Sequence, residues 1–306
     1  MADNPDMAAT APEVIEFERQ VDEVLAGAIA TYGVPSSGPI FENMRRALMD
    51  PSMHDFRMDD LPGLTGDASL GARPLRILDL GCGPGTLVFS ALRRGHDAYG
   101  IDLDEQKIAL GQAWARALGY APEWLERLQL ADAGALPFPD ETFDVVSSYH
   151  VLEHVHDLRS VLYEAVRVTK RGGWLALRAP DYRMSYDTHY CMPWPRFMPA
   201  AQSKRWAEAM GRPASGVGSF YYVTAPEVLS IVRAMGCRVQ TCVLREHRDG
   251  AIHPHSGVIP SDPIVFPANA DVGALAAELK ALDARGQLPA IYKTCLEFDI
   301  AAQRQT

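Results

Sequence analysis

The stretch LRILDLGCGPG, residues 75–85, decides how this chain is read. A short apolar run ends in three alternate glycines, Gly81, Gly83 and Gly85, and helical periodicity begins at Thr86. Such a run, closed by turn residues, reads as a buried strand feeding a tight turn and then a helix. Glycine tolerates positive φ and lets a ligand approach the backbone closely. In open α/β sheets, ligands bind beyond the carboxyl ends of the strands. The spacing is G-x-G-x-G. A dinucleotide fingerprint asks for G-x-G-x-x-G, and position 86 is Thr. The third glycine serves a pyrophosphate at the helix N-terminus, which a ligand without phosphates does not need.

Outward from this turn, strands and helices alternate. DAYGID (97–102), RLQLAD (127–132), FDVVSSY (143–149) and WLALRA (174–179) read as strands. Helical spacing covers 86–94, 104–118 and 157–169, and Gly172-Gly173 reads as a helix-terminating turn. Five alternations predict a parallel sheet covered on both faces. Further side chains with chemistry fall at strand ends. Asp102 closes the second strand, where a carboxylate can accept both hydroxyl protons of a ribose in charge-strengthened bonds. Asp132 closes the third beside Ala133; it can accept from an adenine amino group while its neighbour's N–H donates to the ring. The segment YHVLEHV (149–155) leaves the fourth.

In that order, these four elements resemble class I S-adenosylmethionine-dependent methyltransferases, specifically the small-molecule type with Leu-Glu-His-Val after strand four. The resemblance covers about 75–180. It implies a Rossmann-like α/β fold, a seven-stranded and mostly parallel sheet with helices on both faces. The implied strand order is 3-2-1-4-5-7-6 with strand seven antiparallel. Segments 237–245 and 291–299 would be strands six and seven; a helix near 271–284 between them departs from the minimal family pattern. The implied cofactor is S-adenosyl-L-methionine, with S-adenosyl-L-homocysteine as product. Position by position, Asp79 would lie near the cofactor's amino group, with Gly81, Cys82, Gly83 and Gly85 flanking the methionine portion. Asp102 would hold the ribose, Leu103 would pack on adenine, and Asp132 and Ala133 would read its edge. Tyr149 and His150 would stand near the sulfonium.

The rest of the chain divides into two parts. Residues 1–70 read as a tail, disordered to about residue 11, and a helical cap with helices at 12–32 and 40–49. The turn-rich stretch 51–74 reads as a connector to a methyltransferase domain over 71–306. That domain holds an aromatic-rich insert at 182–222, with nine aromatics against 8% in the whole chain. Its Tyr182, Tyr186, Tyr190, Trp194, Trp206, Tyr221 and Tyr222 are the expected acceptor wall, since aromatic faces bind planar or cationic groups. The plainer reading makes them the cap's own core. Thr224-x-x-Glu227 has the form of a capping box opening a helix to Met235.

An acceptor hydroxyl or ammonium must lose a proton, which suits a histidine. His150 and His189 are the candidates for base or positioner. His154, expected to pack as a helix residue, and the His253-Pro-His255 loop are weaker ones. No metal site is expected, because the five cysteines include no C-x-x-C. Their odd number suggests a reduced, cytoplasmic setting.

The net charge of −10 disfavours nucleic acid. No apolar run approaches the roughly 20 residues of a membrane span, and no signal peptide is visible. The expected partners are a small-molecule acceptor and, if the N-terminal helices form a dimer face rather than completing the cap, a second copy in a homodimer. The expected activity is methyl transfer to O or N, less readily C, of a small aromatic or apolar acceptor. Two alternatives stand beside it. One is a methyltransferase-like binding protein that has lost catalysis. The other is a nicotinamide-dependent oxidoreductase, disfavoured by Thr86 and by the lack of a Tyr-x-x-x-Lys hydride site.

Overall fold

The computed structural model describes residues 11–50, 52–195, 198–248, 251–254, 271–288 and 295–305. Two helices come first, α1 (Ala11–Tyr32) and α2 (Pro39–Met49), followed by single turns α3 (Phe56–Asp59) and α4 (Leu61–Thr65). The alternating region contains β1 (Arg76–Leu80), α5 (Thr86–Arg93), β2 (Asp97–Asp102), α6 (Glu105–Ala117), α7 (Pro122–Leu125) and β3 (Leu128–Leu130). It continues with β4 (Phe143–Tyr149), α8 (Leu158–Val168) and β5 (Thr169–Pro180). The insert holds β6 (Tyr186–Asp187), β7 (Met192–Pro193) and α9 (Ala200–Ala209). Last come α10 (Ala225–Ala234), β8 (Cys237–Arg248), β9 (Ala251–Pro254), α11 (Val272–Ala284) and β10 (Cys295–Arg304).

The sheet runs β3-β2-β1-β4-β5-β10-β8-β9. Strands β1 to β5 pair in parallel, and β10 is antiparallel to both of its neighbours. Seven strands thus take the expected order, and β9 adds an eighth beside β8. Side chains alternate across the sheet. Ile77 and Val145 join the core beneath α1, α5 and α6, while Leu78, Leu80 and Val146 join the core beneath α8 and α10. Burial on both faces is why these strands read as continuous apolar runs.

Helix α1 lies on α6. Phe17, Val21 and Leu25, at four-residue spacing, are buried, and Phe17 stacks on Trp114 with ring centroids 6.0 Å apart. The far end of α1 reaches the insert: Tyr32 Oη lies 2.8 Å from Ser219 Oγ, and its ring meets Tyr190 edge-on.

Several local readings change. Gly172 and Gly173 lie inside β5 rather than in a helix-terminating turn. Helix α8 stops at Val168, Thr169 is extended, and the register against β4 slips between Phe143 and Val145, so the glycines form a bulge. A Cβ on Gly173 would stand 2.9 Å from the Asp144 carbonyl oxygen. Residues 1–10 and 291–294, part of the expected tail and of the seventh strand, lie outside the described residues.

Helix α10 does start after Thr224, but the capping box does not form. Thr224 makes no side-chain cap, and Pro226 in the first turn has no N–H to offer. The Ala225 N–H donates instead to Asp181 Oδ2 at 3.2 Å. A lost N-cap costs about 1 kcal/mol. Thr224→Ala should therefore move the urea unfolding free energy by less than about 0.5 kcal/mol, the range of a side chain without a special contact.

Candidate active site

The turn after β1 is built by backbone shape. Gly81, Gly83 and Gly85 have φ of +62°, +53° and +79°. A Cβ on Gly81 would stand 2.3 Å from Val151 Cγ2, and one on Gly85 would stand 2.6 Å from Leu128 Cδ2. A Cβ on Gly83 would meet no protein atom. Gly81 and Gly83 face a cleft of about 1180 Å³ at the carboxyl ends of the strands, together with Cys82. Gly85 does not line it; its bareness serves packing against Leu128.

Asp102 closes β2 on the cleft wall. Its Oδ2 accepts from the Gly83 N–H and its Oδ1 from the Asp104 N–H, both at 2.9 Å. Asp104, not Asp102, caps α6. Each Asp102 oxygen keeps a further lone-pair direction for a ligand hydroxyl. Leu103 follows at the rim, 71% exposed. Asp132 and Ala133 line the next part of the wall; Asp132 Oδ1 accepts from the Gly134 N–H at 2.8 Å, which closes the turn.

Asp79 departs from expectation. It is 1% exposed and does not line the cleft. Arg57, from the presumed connector, covers it: Nη2 lies 2.5 Å from Asp79 Oδ1 and donates to Ser147 Oγ at 2.7 Å. The guanidinium also lies 4.9 Å from the centre of the Tyr149 ring. Burial pushes the Asp79 carboxyl up, and the Arg57 charge opposes that shift. Arg57 itself faces the cleft. So does His54, whose Nδ1 lies 2.5 Å from Thr86 Oγ1 and whose ring sits 5.4 Å from Tyr149. Burial, then the nearby Arg57 charge, takes the His54 imidazole down to about 4. Sequence reasoning missed both residues. For Arg57 the hint is a carboxylate at position 79 inside an apolar strand, which calls for a buried partner; His54 has no such signal.

His150 lines the cleft in the left-handed region, with φ +55°. Its Nε2 lies 2.9 Å from Glu297 Oε1 of β10, and its Nδ1 lies 3.5 Å from Glu153 Oε1. Burial alone would lower its pKa; the two carboxylates overcome that and hold it well above the usual imidazole value. The two carboxylates thus favour the charged imidazolium, the form that cannot take up a further proton. The raised pKa stabilises the fold fully below the unfolded value of about 6.5, and that contribution is lost as pH climbs through the folded value. The stability deficit of His150→Asn should be largest near about pH 6 and should narrow under alkaline conditions in urea titrations. A pH-independent deficit would contradict the ion pairing.

His154 is in a 3-10 turn, Leu152–His154, not a helix, and it lines the cleft. Its Nε2 lies 3.1 Å from His189 Nε2. His189 stands behind it, stacked on Phe220 with centroids 5.1 Å apart.

The insert aromatics do not line the cleft. Tyr182, Tyr190, Trp194 and Trp206 are each at most 1% exposed. Their polar tips find partners within the protein. Tyr182 Oη donates to Asp187, Tyr190 Oη to Pro213 O, Trp194 Nε1 to Tyr222 Oη and Trp206 Nε1 to Pro193 O, all at 2.9 Å. That is the behaviour of a core. Tyr186 is half-buried, and Tyr221 is exposed with its ring edge-on to His156. Among the described residues, the tyrosines that line the cleft are Tyr149 and Tyr32. Of the His253–His255 loop, His253 lies in β9 and His255 lies outside the described residues.

Residues 78–177 match a protein family described as a methyltransferase domain. The ubiquinone biosynthesis O-methyltransferase of Paracidovorax citrulli is 35% identical over 123 residues, 40% of this chain and 50% of that protein. The ajmaline N-methyltransferase of Rauvolfia serpentina is 31% identical over 112 residues, 36% of this chain and 38% of that one. The chain thus spans about half the length, or less, of the curated relatives it matches. A solved putative sarcosine dimethylglycine methyltransferase from Galdieria sulphuraria aligns over 96% of this chain and 98% of its own, with a TM-score of 0.51 at 14% identity, a likeness of fold. Among the described residues, no helix is long and apolar enough to cross a membrane. The matched segment, residues 78–177, builds both the glycine turn and the exit from β4 that wall the cleft, and it is this segment of the chain that is identified as a methyltransferase domain.

Proposed function

We propose that the chain transfers a methyl group from S-adenosylmethionine to an oxygen or nitrogen, less readily a carbon, of a small planar or apolar acceptor. One observation carries this reading. Bare Gly83 backbone, the Asp102 carboxylate and exposed Leu103 adjoin one another on a single cleft. That is a neutral-ligand cradle beside a hydroxyl acceptor and an apolar platform. The unused lone pairs of Asp102 would take the ribose hydroxyls, Leu103 would pack on the adenine, and Asp132 and Ala133 would read its edge. The Arg57 guanidinium, already facing the cleft, would take the carboxylate of the methionine portion. When bound, the cofactor supplies an activated methyl on sulfur, so the chain's own task is alignment and exclusion of water. Tyr149 and Tyr32, which line the cleft, would form part of the acceptor wall. The His150 imidazolium pairs with Glu297 and fixes the wall, a positioning role.

The test is turnover by the full chain with S-adenosylmethionine and an array of small phenols, hydroxy acids and amines. Release of S-adenosylhomocysteine that depends on one of these acceptors is the expected result. Tight cofactor binding with no turnover across the array would favour the binding-protein reading instead.

A further inference from the structure

We propose that Glu153, His154 and His189 form a divalent transition-metal site, of zinc type, in the wall of the cleft. Each residue offers one ligand atom, and all three atoms lie within 4.8 Å of one another. Two come from the turn after β4 and the third from the loop joining β6 to β7, so the site would tie the insert to the sheet.

The ring nitrogens carry the argument. His154 Nδ1 lies 2.7 Å from the Ser219 carbonyl oxygen, which can only accept, so this nitrogen holds a hydrogen. His189 Nδ1 lies 3.2 Å from the Asp187 carboxylate, and the same reasoning applies. In the neutral rings both Nε2 atoms are therefore bare, yet they face each other at 3.1 Å. Two lone pairs at that distance repel unless a positive charge joins them. The joining charge is either one shared proton or a cation.

The spacing admits either, and the third ligand favours the cation. Zinc–nitrogen bonds of about 2.0–2.1 Å at the tetrahedral angle separate two nitrogens by about 3.3 Å. Glu153 is fully buried, and among the described residues neither of its carboxylate oxygens accepts a hydrogen bond. Its charged neighbour, His150 Nδ1, lies 3.5 Å from Oε1, beyond a good hydrogen bond, and leaves Oε2 without a donor. A buried carboxylate short of donors is costly unless a cation meets it. Two histidines and one glutamate, with a fourth position open, make a donor set of catalytic zinc sites. The outer partners are also in place. Asp187 and the Ser219 carbonyl orient the rings. Asp187 is itself held by Tyr182 Oη at 2.9 Å and the Tyr190 N–H at 2.7 Å.

The open position would face the cleft through His154 and take an acceptor oxygen; this clause alone rests on the methyltransfer reading. There the acceptor hydroxyl would give its proton to water, and its oxygen–carbon bond to the methyl would form as the carbon–sulfur bond of S-adenosylmethionine breaks. The electron pair of the broken bond stays on sulfur, and the thioether leaves.

The test uses the full chain, stripped with a chelator and dialysed against zinc or cobalt(II). The expected result is one zinc per chain by atomic emission, and the intense visible absorption of tetrahedral cobalt. His189→Gln should weaken zinc binding more than about 100-fold, because loss of an outer partner alone costs about 10–100-fold. Asp187→Asn should fall in that smaller range. S-adenosylhomocysteine affinity, measured alongside, should stay unchanged in both variants. That control separates failure of the metal site from failure of the cofactor reading and shows that the variants fold. A wild-type chain that retains no zinc, or a His189→Gln chain that binds it as tightly as wild type, would overturn the site and leave the shared proton as the link.

Discussion

Arg57→Met should lower the unfolding free energy by about 3–5 kcal/mol, the scale of a buried ion pair broken on one side. The Asp79 carboxylate is 1% exposed, and both hydrogen bonds to it come from Arg57. Without the guanidinium, Asp79 must either stay charged in an apolar strand or take up a proton. Its pKa, already raised by burial, would rise further. A carboxyl whose folded pKa lies above its unfolded value loses stability as pH rises between the two. The deficit of the variant should therefore grow from acid toward neutral pH. Asp79→Asn in the Arg57→Met background should restore most of the loss, a coupling that a double-mutant cycle in urea measures. A deficit below about 1 kcal/mol, the range of exposed pairs, would remove the pair from its central place beneath the cleft.

Asp102→Ala should weaken S-adenosylhomocysteine binding by about 1–3 kcal/mol, the scale of a hydrogen bond to a charged group. At 25 °C that is roughly 5- to 150-fold in Kd. The substitution also frees the Gly83 and Asp104 N–H groups that Asp102 now accepts from, so part of the loss would come from a loosened turn. Asp102→Asn separates the two effects. It keeps the shape and one of the two backbone N–H bonds but removes the charge, so it should lose affinity while losing less stability than the alanine variant. An unchanged Kd in either variant would remove the ribose role from Asp102.

What was legible in the sequence was whatever local patterning controls. The glycine turn, the strand ends and the helix after each strand are set by periodicity and by backbone freedom over a few residues. Hence Gly81, Gly83, Asp102, Leu103, Asp132, Ala133 and Tyr149 all reach the cleft. What stayed hidden depends on distant partners. Arg57 and His54 sit in a turn-rich segment whose composition looks like a linker, and only Asp79 and Thr86 across the fold give them a place. His150 takes its ion-pair partner Glu297 from the strand that returns at the end of the chain. The aromatic insert was ambiguous for a physical reason: a binding wall and a core both select large flat side chains. The difference lies in where the polar tips point, and Tyr182, Tyr190, Trp194 and Trp206 point theirs at partners within the protein.

The central claim is that this cleft holds a sulfonium nucleoside rather than a dinucleotide. Calorimetric titration of the full chain with S-adenosylhomocysteine and, separately, with NAD tests it most directly. Saturable binding of S-adenosylhomocysteine near one per chain, with no heat from NAD, is the result expected from the glycine spacing and Asp102. Binding of NAD without binding of S-adenosylhomocysteine would contradict it.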